Sequence, residues 1–196
     1  HEEPWVYYAP ATSDLEYQIQ RVKDGALYKY LEDIDVYSCA TSTKKETRTY
    51  SVIDSMNGAY AEPDVTNSGI PNVTQEMYIK HIIQMKRPAE RFIFADEGRP
   101  GVIWDNGPSG TSWTSYCDRH QWWDPIPMRH GNGTNWSFAD GHVEYWMWSE
   151  QQTIDGGKIP YDNEWTAWDI EPEYPSEELV KTQKAHWGIL KYDPPI

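Results

Sequence analysis

Two imidazoles and three carboxylates stand where they could share chemistry. His130 is followed, after nine residues, by Asp140-Gly141 with His142 directly beyond, and Asp96-Glu97 close a short apolar run further back. Carboxylates and imidazoles can hold a metal or exchange protons, so Asp96, Glu97, His130, Asp140 and His142 form one candidate metal or acid–base cluster. The competing reading is structural. Asp140 suits a turn, where its carboxylate accepts backbone donors. His130, at the foot of the segment, can donate to a carboxylate or carbonyl and clamp the loop. His130, Asp140 and Gly141 are then a structural clamp, and His142 is an ordinary polar residue on a wet face. The chain carries no GxSxG, HExxH, P-loop or dinucleotide glycine pattern. The clamp is therefore preferred, and no catalysis is expected. His81, His120 and His186 are isolated and read as satisfied surface or core residues.

The elements that position these groups begin with a β-hairpin. Asp140-Gly141 suits a two-residue type I′ turn, since both central positions need positive φ. That turn sets Ala139 opposite His142, Phe138 opposite Val143, Ser137 opposite Glu144 and Trp136 opposite Tyr145. Side chains alternate along a strand, so Phe138, Val143, Trp136 and Tyr145 are expected on one greasy face. Upstream, Ser13 and Glu16 have capping-box spacing, and Leu15, Ile19, Val22 and Ala26 follow at helical intervals. Asp24-Gly25 ends or kinks that helix, and Ala26 to Glu32 gives a further helical turn. Strands are expected at Val36–Cys39, Arg48–Ile53 and Arg91–Ala95. Positions 54 to 75 read as irregular loop. Gly98 to Pro127, broken by Gly and Pro and carrying Trp104, Trp113, Trp122 and Trp123, reads as a long surface excursion. A last helix is expected from Ser176 to Lys184, and no repeat or flexible linker is visible.

The His-x9-Asp-Gly pattern, with Phe138-Ala139-Asp140-Gly141-His142-Val143-Glu144-Tyr145-Trp146 running through it, resembles a bacterial pseudopilin-like family. That family has a prepilin-type N-terminal helix and a C-terminal domain named for the motif. Other pieces follow in order: Gly25–Leu31 with Val36–Cys39, Tyr50–Asn57, and Lys86-Arg87-Pro88-Ala89-Glu90 through Phe94-Ala95-Asp96-Glu97. The resemblance runs from roughly position 14 to 154. Two departures stand out: Ala40 follows Cys39 where the family has Pro, and the membrane-embedded helix is not in this sequence. The resemblance implies an α+β fold, a pilin-like globular head with an N-terminal helix packed on an antiparallel sheet and long irregular loops. It also implies export and inner-membrane anchoring before assembly, so the domain is expected in the periplasm or at the cell surface. Function is then assembly into a filament or secretion pseudopilus with other pilin-like subunits, copies of itself included. Two cysteines fit either one disulfide or two unrelated thiols; the implied export favours a Cys39–Cys117 bond. Major pseudopilins carry a calcium-stabilised C-terminal loop, and the tail here offers Asp155, Asp162, Glu164, Asp169, Glu171 and Glu173. Their spacing fits no EF-hand, so a solvated acidic tail is preferred and no cofactor is expected.

Composition agrees with a secreted module. Seventeen basic against thirty-one acidic residues give a net charge of −14, which argues against nucleic acid or anionic lipid as partner. No run reaches the roughly 20 apolar residues that cross a bilayer, and a chain opening on His1 is expected to be a processed product. The sequons at Asn72, Asn132 and Asn135 are of a kind that arises often by chance. Residues 1–154 are expected to form the globular domain, with 155–196 an acidic, Pro-rich extension packed on it. The chain has 11 Trp and 14 Tyr, residues that suit half-wet contacts. Trp104, Trp113, Trp122 and Trp123 are thus a candidate contact surface, or a lid over the sheet. They also support a rival reading, a secreted glycan-binding or carbohydrate-active module.

Overall fold

The computed structural model describes residues 3–9, 13–40, 47–56, 72–97, 112–159 and 169–195. The chain is α+β, with one mixed five-stranded sheet and four α-helices among the described residues. The helices are α1 (Leu15–Lys23), α2 (Tyr28–Leu31), α3 (Gln151–Gly156) and α4 (Glu177–Trp187); the strands are β1 (Tyr50–Ile53), β2 (Phe92–Asp96), β3 (Ser112–Trp113), β4 (Gly133–Phe138) and β5 (Val143–Met147). Their order across the sheet is β3-β1-β2-β4-β5, antiparallel except for the parallel β1–β3 pair.

One face of the sheet carries the main core. Phe92, Ala95, Trp113, Trp136, Phe138 and Trp146 pack there with Trp122, Ile154 and, from α4, Leu179 and Ala185. Phe92 and Ala95 lie an odd number of residues apart, yet both point inward. An irregularity in the β2–β4 register between Phe92 and Phe94 makes this possible, because an extra residue in one strand resets its alternation. Phe94 consequently turns to the other face, where Trp5 meets it edge-on at 5.5 Å and stacks on Tyr50 at 6.0 Å.

The expected roles of the terminal helices are corrected. In α1 only Gln18 and Val22 are buried, and Leu15 is 48% exposed. Val22 packs with Val6 and Tyr37 in a small separate cluster. A short helix with so sparse an apolar face cannot close the sheet. The helices packed on the main core are α3, through Ile154, and α4, which is capped by Ser176, whose hydroxyl accepts from the Leu179 amide at 3.0 Å. The cap of α1 is Asp14, accepting from the Tyr17 amide at 2.7 Å, rather than Ser13. After α1 the chain bends under residues 4–6. A Cβ on Gly25 would lie 2.2 Å from the Trp5 carbonyl oxygen, so the close approach requires glycine. The strand expected at Val36–Cys39 is instead a 3₁₀ turn over Asp35–Tyr37.

The hairpin forms one residue out of the expected register. Ser137 pairs with Val143, Trp136 with Glu144, and Asn135 with Tyr145. The Gly141 amide donates to the Phe138 carbonyl at 3.0 Å, the Phe138 amide donates to the His142 carbonyl at 2.9 Å, and Gly141 has φ +96°. This is a three-residue connection closed by a glycine bulge, the other common use of a turn glycine. A slip of one residue exchanges the two faces of a strand. Trp146 is therefore buried, while Val143 and Tyr145, expected inside, are 64% and 49% exposed. Burying the indole gains more apolar area than burying the phenol or valine. Gly141→Val is expected to cost about 1–3 kcal/mol, because a β-branched residue at positive φ is strained even though open space surrounds the site. Chemical denaturation of the two proteins measures it.

Candidate functional site

The foot of the hairpin and the end of β2 come together. His130 Nε2 is in hydrogen-bond contact with the Asp96 carboxylate. The ring is held from its own backbone: the His130 amide donates to the Gly133 carbonyl at 3.0 Å, and the Tyr145 hydroxyl donates to the His130 carbonyl at 2.7 Å. Asp96 is held in turn by Thr134, whose hydroxyl donates to the Asp96 carbonyl at 2.6 Å, and by Arg129, with Nε 3.4 Å from Oδ1. Burial pushes the Asp96 carboxyl up, against the opposing pull of His130 and Arg129.

A third group joins this pair. Cys39 Sγ lies 4.0 Å from His130 Nε2, and a ligand atom from each of Cys39, Asp96 and His130 lies within 4.8 Å of the others. Cys39 is placed by the turn after Tyr37, its amide donating to Thr49 Oγ1 at 2.8 Å. The geometry does not make a nucleophilic triad. In a triad the nucleophile meets one ring nitrogen and the carboxylate orients the other. Here thiol and carboxylate face the same Nε2, so the imidazole cannot take the thiol's proton while bonded to Asp96.

Glu97 is beside this cluster but belongs to a different network. Its side chain is buried and accepts from Ser51 Oγ, which in turn receives Arg48 Nη1 at 2.6 Å. Burial lowers the Arg48 guanidinium to about 10 despite the attraction of Glu97. Arg129 ties the two networks together, donating from Nε to the Glu97 carbonyl at 2.9 Å.

Asp140 and His142 lie at the opposite end of the hairpin, so the five-residue cluster expected from the sequence is split. The six residues of β4 separate His130 from the turn, about 20 Å at strand rise. At the tip, Asp140 Oδ1 accepts from the His142 amide at 3.2 Å and meets His142 Nδ1 at 2.5 Å. The His142 ring also stacks on Phe138 at 4.2 Å. Its pKa is raised, chiefly by the Asp140 hydrogen bond.

Other sequence expectations are corrected. The expected Cys39–Cys117 disulfide is not formed. Cys117 is fully buried beside Met77, Tyr78 and Trp187, whereas Cys39 is half-buried beside His130, and burial pushes the Cys117 thiol up to about 11. Trp113 and Trp122 are not an exposed contact surface but pack against the sheet. Both are buried in the main core, with Trp113 Nε1 donating to the Pro125 carbonyl at 3.1 Å. Trp123 is half-buried against Tyr116, 4.8 Å away, and Trp104 lies outside the described residues. In the acidic tail, Asp162 and Glu164 are outside the described residues. Asp169 accepts from the Tyr116 hydroxyl at 2.5 Å and Asp155 from Gln151 Nε2 at 2.8 Å, so these two carboxylates serve separate local contacts.

No family model, curated protein or solved structure matches this chain. No helix among the described residues is long and apolar enough to cross a membrane.

Proposed function

We propose that the chain is the non-catalytic, extracytoplasmic head of a pilin- or pseudopilin-like subunit that works by assembling with other subunits, copies of itself included. One observation carries the reading. Val143, Tyr145 and Met147 alternate along β5, the edge strand of the sheet, and all three point outward, 64%, 49% and 68% exposed. Large apolar side chains scattered singly are ordinary, but a contiguous row marks a contact surface. The chemistry-bearing groups of the motif support the same reading, since His130 is engaged with Asp96 and Asp140 with His142. The tryptophans that suggested a sugar-binding platform are buried where described or half-buried.

Beside β5 runs a groove of about 980 Å³, where the side chains of Lys86, Arg87, Lys181, Lys184 and Lys191 meet only three glutamates. In a chain of net charge −14 this is a local reversal of sign. It is complementary to the acidic remainder of another copy. Contacts between unlike surfaces propagate into open filaments where the rotation between copies does not close a ring.

Sedimentation tests this on the 196-residue chain and on a longer form carrying whatever its reading frame encodes ahead of His1. At low ionic strength the chain alone is expected to be monomeric, because its net charge opposes close packing. The longer form is expected to polymerise. Val143→Lys with Met147→Lys should abolish that polymerisation while shifting stability by only about 0.5 kcal/mol per exposed site. A longer form that stays monomeric, or a double variant that polymerises normally, would refute the proposal.

A further inference from the structure

The geometry points to a zinc site at the foot of the hairpin, formed by Cys39 Sγ, His130 Nε2 and a carboxylate oxygen of Asp96. The three atoms converge from three separate stretches of chain. A proton cannot serve all of them. Nε2 offers either one N–H or one lone pair in the ring plane, yet both the thiol and the carboxylate face it. A divalent cation in their midst serves the three together.

The dimensions fit. Zinc binds thiolate sulfur at about 2.3 Å and nitrogen or oxygen at about 2.0–2.1 Å, which at tetrahedral angles sets sulfur and nitrogen roughly 3.5 Å apart. Cys39 Sγ and His130 Nε2 are 4.0 Å apart, so closing on the metal requires only about half an ångström. The carboxylate steps back as the ring proton moves from Nε2 to Nδ1. Binding releases the thiol proton, and no electron is transferred.

Donor type selects the metal. Calcium and magnesium take oxygen ligands, whereas thiolate with imidazole and one carboxylate is a zinc set. A thiolate and a carboxylate neutralise Zn²⁺, so Arg129 beside Asp96 faces no added net charge. Each ligand residue is positioned by bonds the metal does not supply. The Cys39 amide is on Thr49, the Asp96 carbonyl receives Thr134, and the His130 backbone is held by Gly133 and Tyr145. Such preorganisation lowers the cost of binding. The side chains of His130 and Asp96 keep 26% and 14% of their surface exposed, which leaves an entry path and a fourth position for water.

The test uses the 196-residue chain, reduced and stripped with a chelator, titrated with Zn²⁺ against a chromophoric competitor and with Co²⁺ in parallel. One equivalent of zinc is expected to bind, and the cobalt form should show thiolate-to-metal charge-transfer absorption. Cys39→Ser should remove that absorption and weaken zinc binding by about 100-fold or more. Asp140→Asn and His142→Gln, at the far end of the hairpin, should change neither. Zinc should also shield Cys39 of the unaltered protein from alkylation, a readout that needs no variant to fold. No bound equivalent, a cobalt spectrum lacking the thiolate band, unchanged affinity in Cys39→Ser, or unshielded alkylation would each overturn the site. So would loss of binding in the Asp140 and His142 variants, which would move the metal to the hairpin tip. None of these outcomes depends on whether the subunit polymerises.

Discussion

Trp136→Ala is expected to cost about 3–5 kcal/mol, a large share of the roughly 5–15 kcal/mol that keeps a domain folded. The indole is fully buried at the centre of the sheet. It stacks on Phe92 at 4.0 Å and meets Trp113 and Trp146 edge-on at 5.3 and 5.9 Å. Truncation removes contacts with strands β2, β3 and β5 at once, and rings this large cannot collapse into the space. Trp136→Phe should cost far less. It keeps the stack on Phe92, and it deletes an indole N–H that is buried with no hydrogen-bond partner among the described residues. Urea unfolding at unchanged slope measures both. Equal losses in the two variants would mean that ring size, rather than the presence of a stacked ring, sets the stability. Because Trp136 pairs across to Ala95, next to Asp96, the alanine variant should also expose Cys39 to alkylation more readily.

Much of the frame around this core was legible in the sequence, and the errors have identifiable causes. The hairpin, the strands at Tyr50–Ile53 and Phe92–Asp96, and the Ser176 cap of α4 follow from local turn chemistry and apolar runs. The register slipped because Asp-Gly serves both a two-residue turn and a turn with a glycine bulge. Only the competition between Trp146 and Tyr145 for the core decides between them. Gly and Pro around Trp113 and Trp122 suggest an exposed segment. Breakers report irregular backbone, however, and irregular backbone can still bury its side chains. At the site, Asp96 and His130 were already candidates by residue type. Cys39 was not, since it lies 91 residues from His130 and no local signal joins them. Asp140 and His142 are near His130 in sequence, but the extended strand β4 converts that nearness into distance.

His186 is expected to make stability fall as the medium is acidified. It is fully buried on α4, stacked on Trp187 at 4.1 Å. The Ser115 amide donates to His186 Nδ1 at 3.3 Å, so the proton resides on Nε2, which has no hydrogen-bond partner among the described residues. Burial, with the Arg91 guanidinium adding repulsion, holds the imidazole well below its ordinary value of 6.5. The unfolded chain therefore takes up a proton near pH 6.5 that the folded chain refuses. The stabilisation is complete above that pH and is lost as pH falls, by about 1.4 kcal/mol per unit until the folded group titrates. Asp124 works in the opposite sense. Burial raises its carboxyl well above the ordinary range, so its folded form keeps a proton that the unfolded chain has lost, and the slope of the unaltered protein is partly offset. The difference between that protein and His186→Gln isolates the histidine. Gln can still accept from Ser115 but does not titrate. Between about pH 6.5 and about pH 5 the stability advantage of histidine over glutamine should shrink by about 2 kcal/mol, read from urea unfolding at each pH. A constant gap would mean that the folded protein protonates His186 as readily as the unfolded chain does, and its burial as a neutral imidazole would have to be given up.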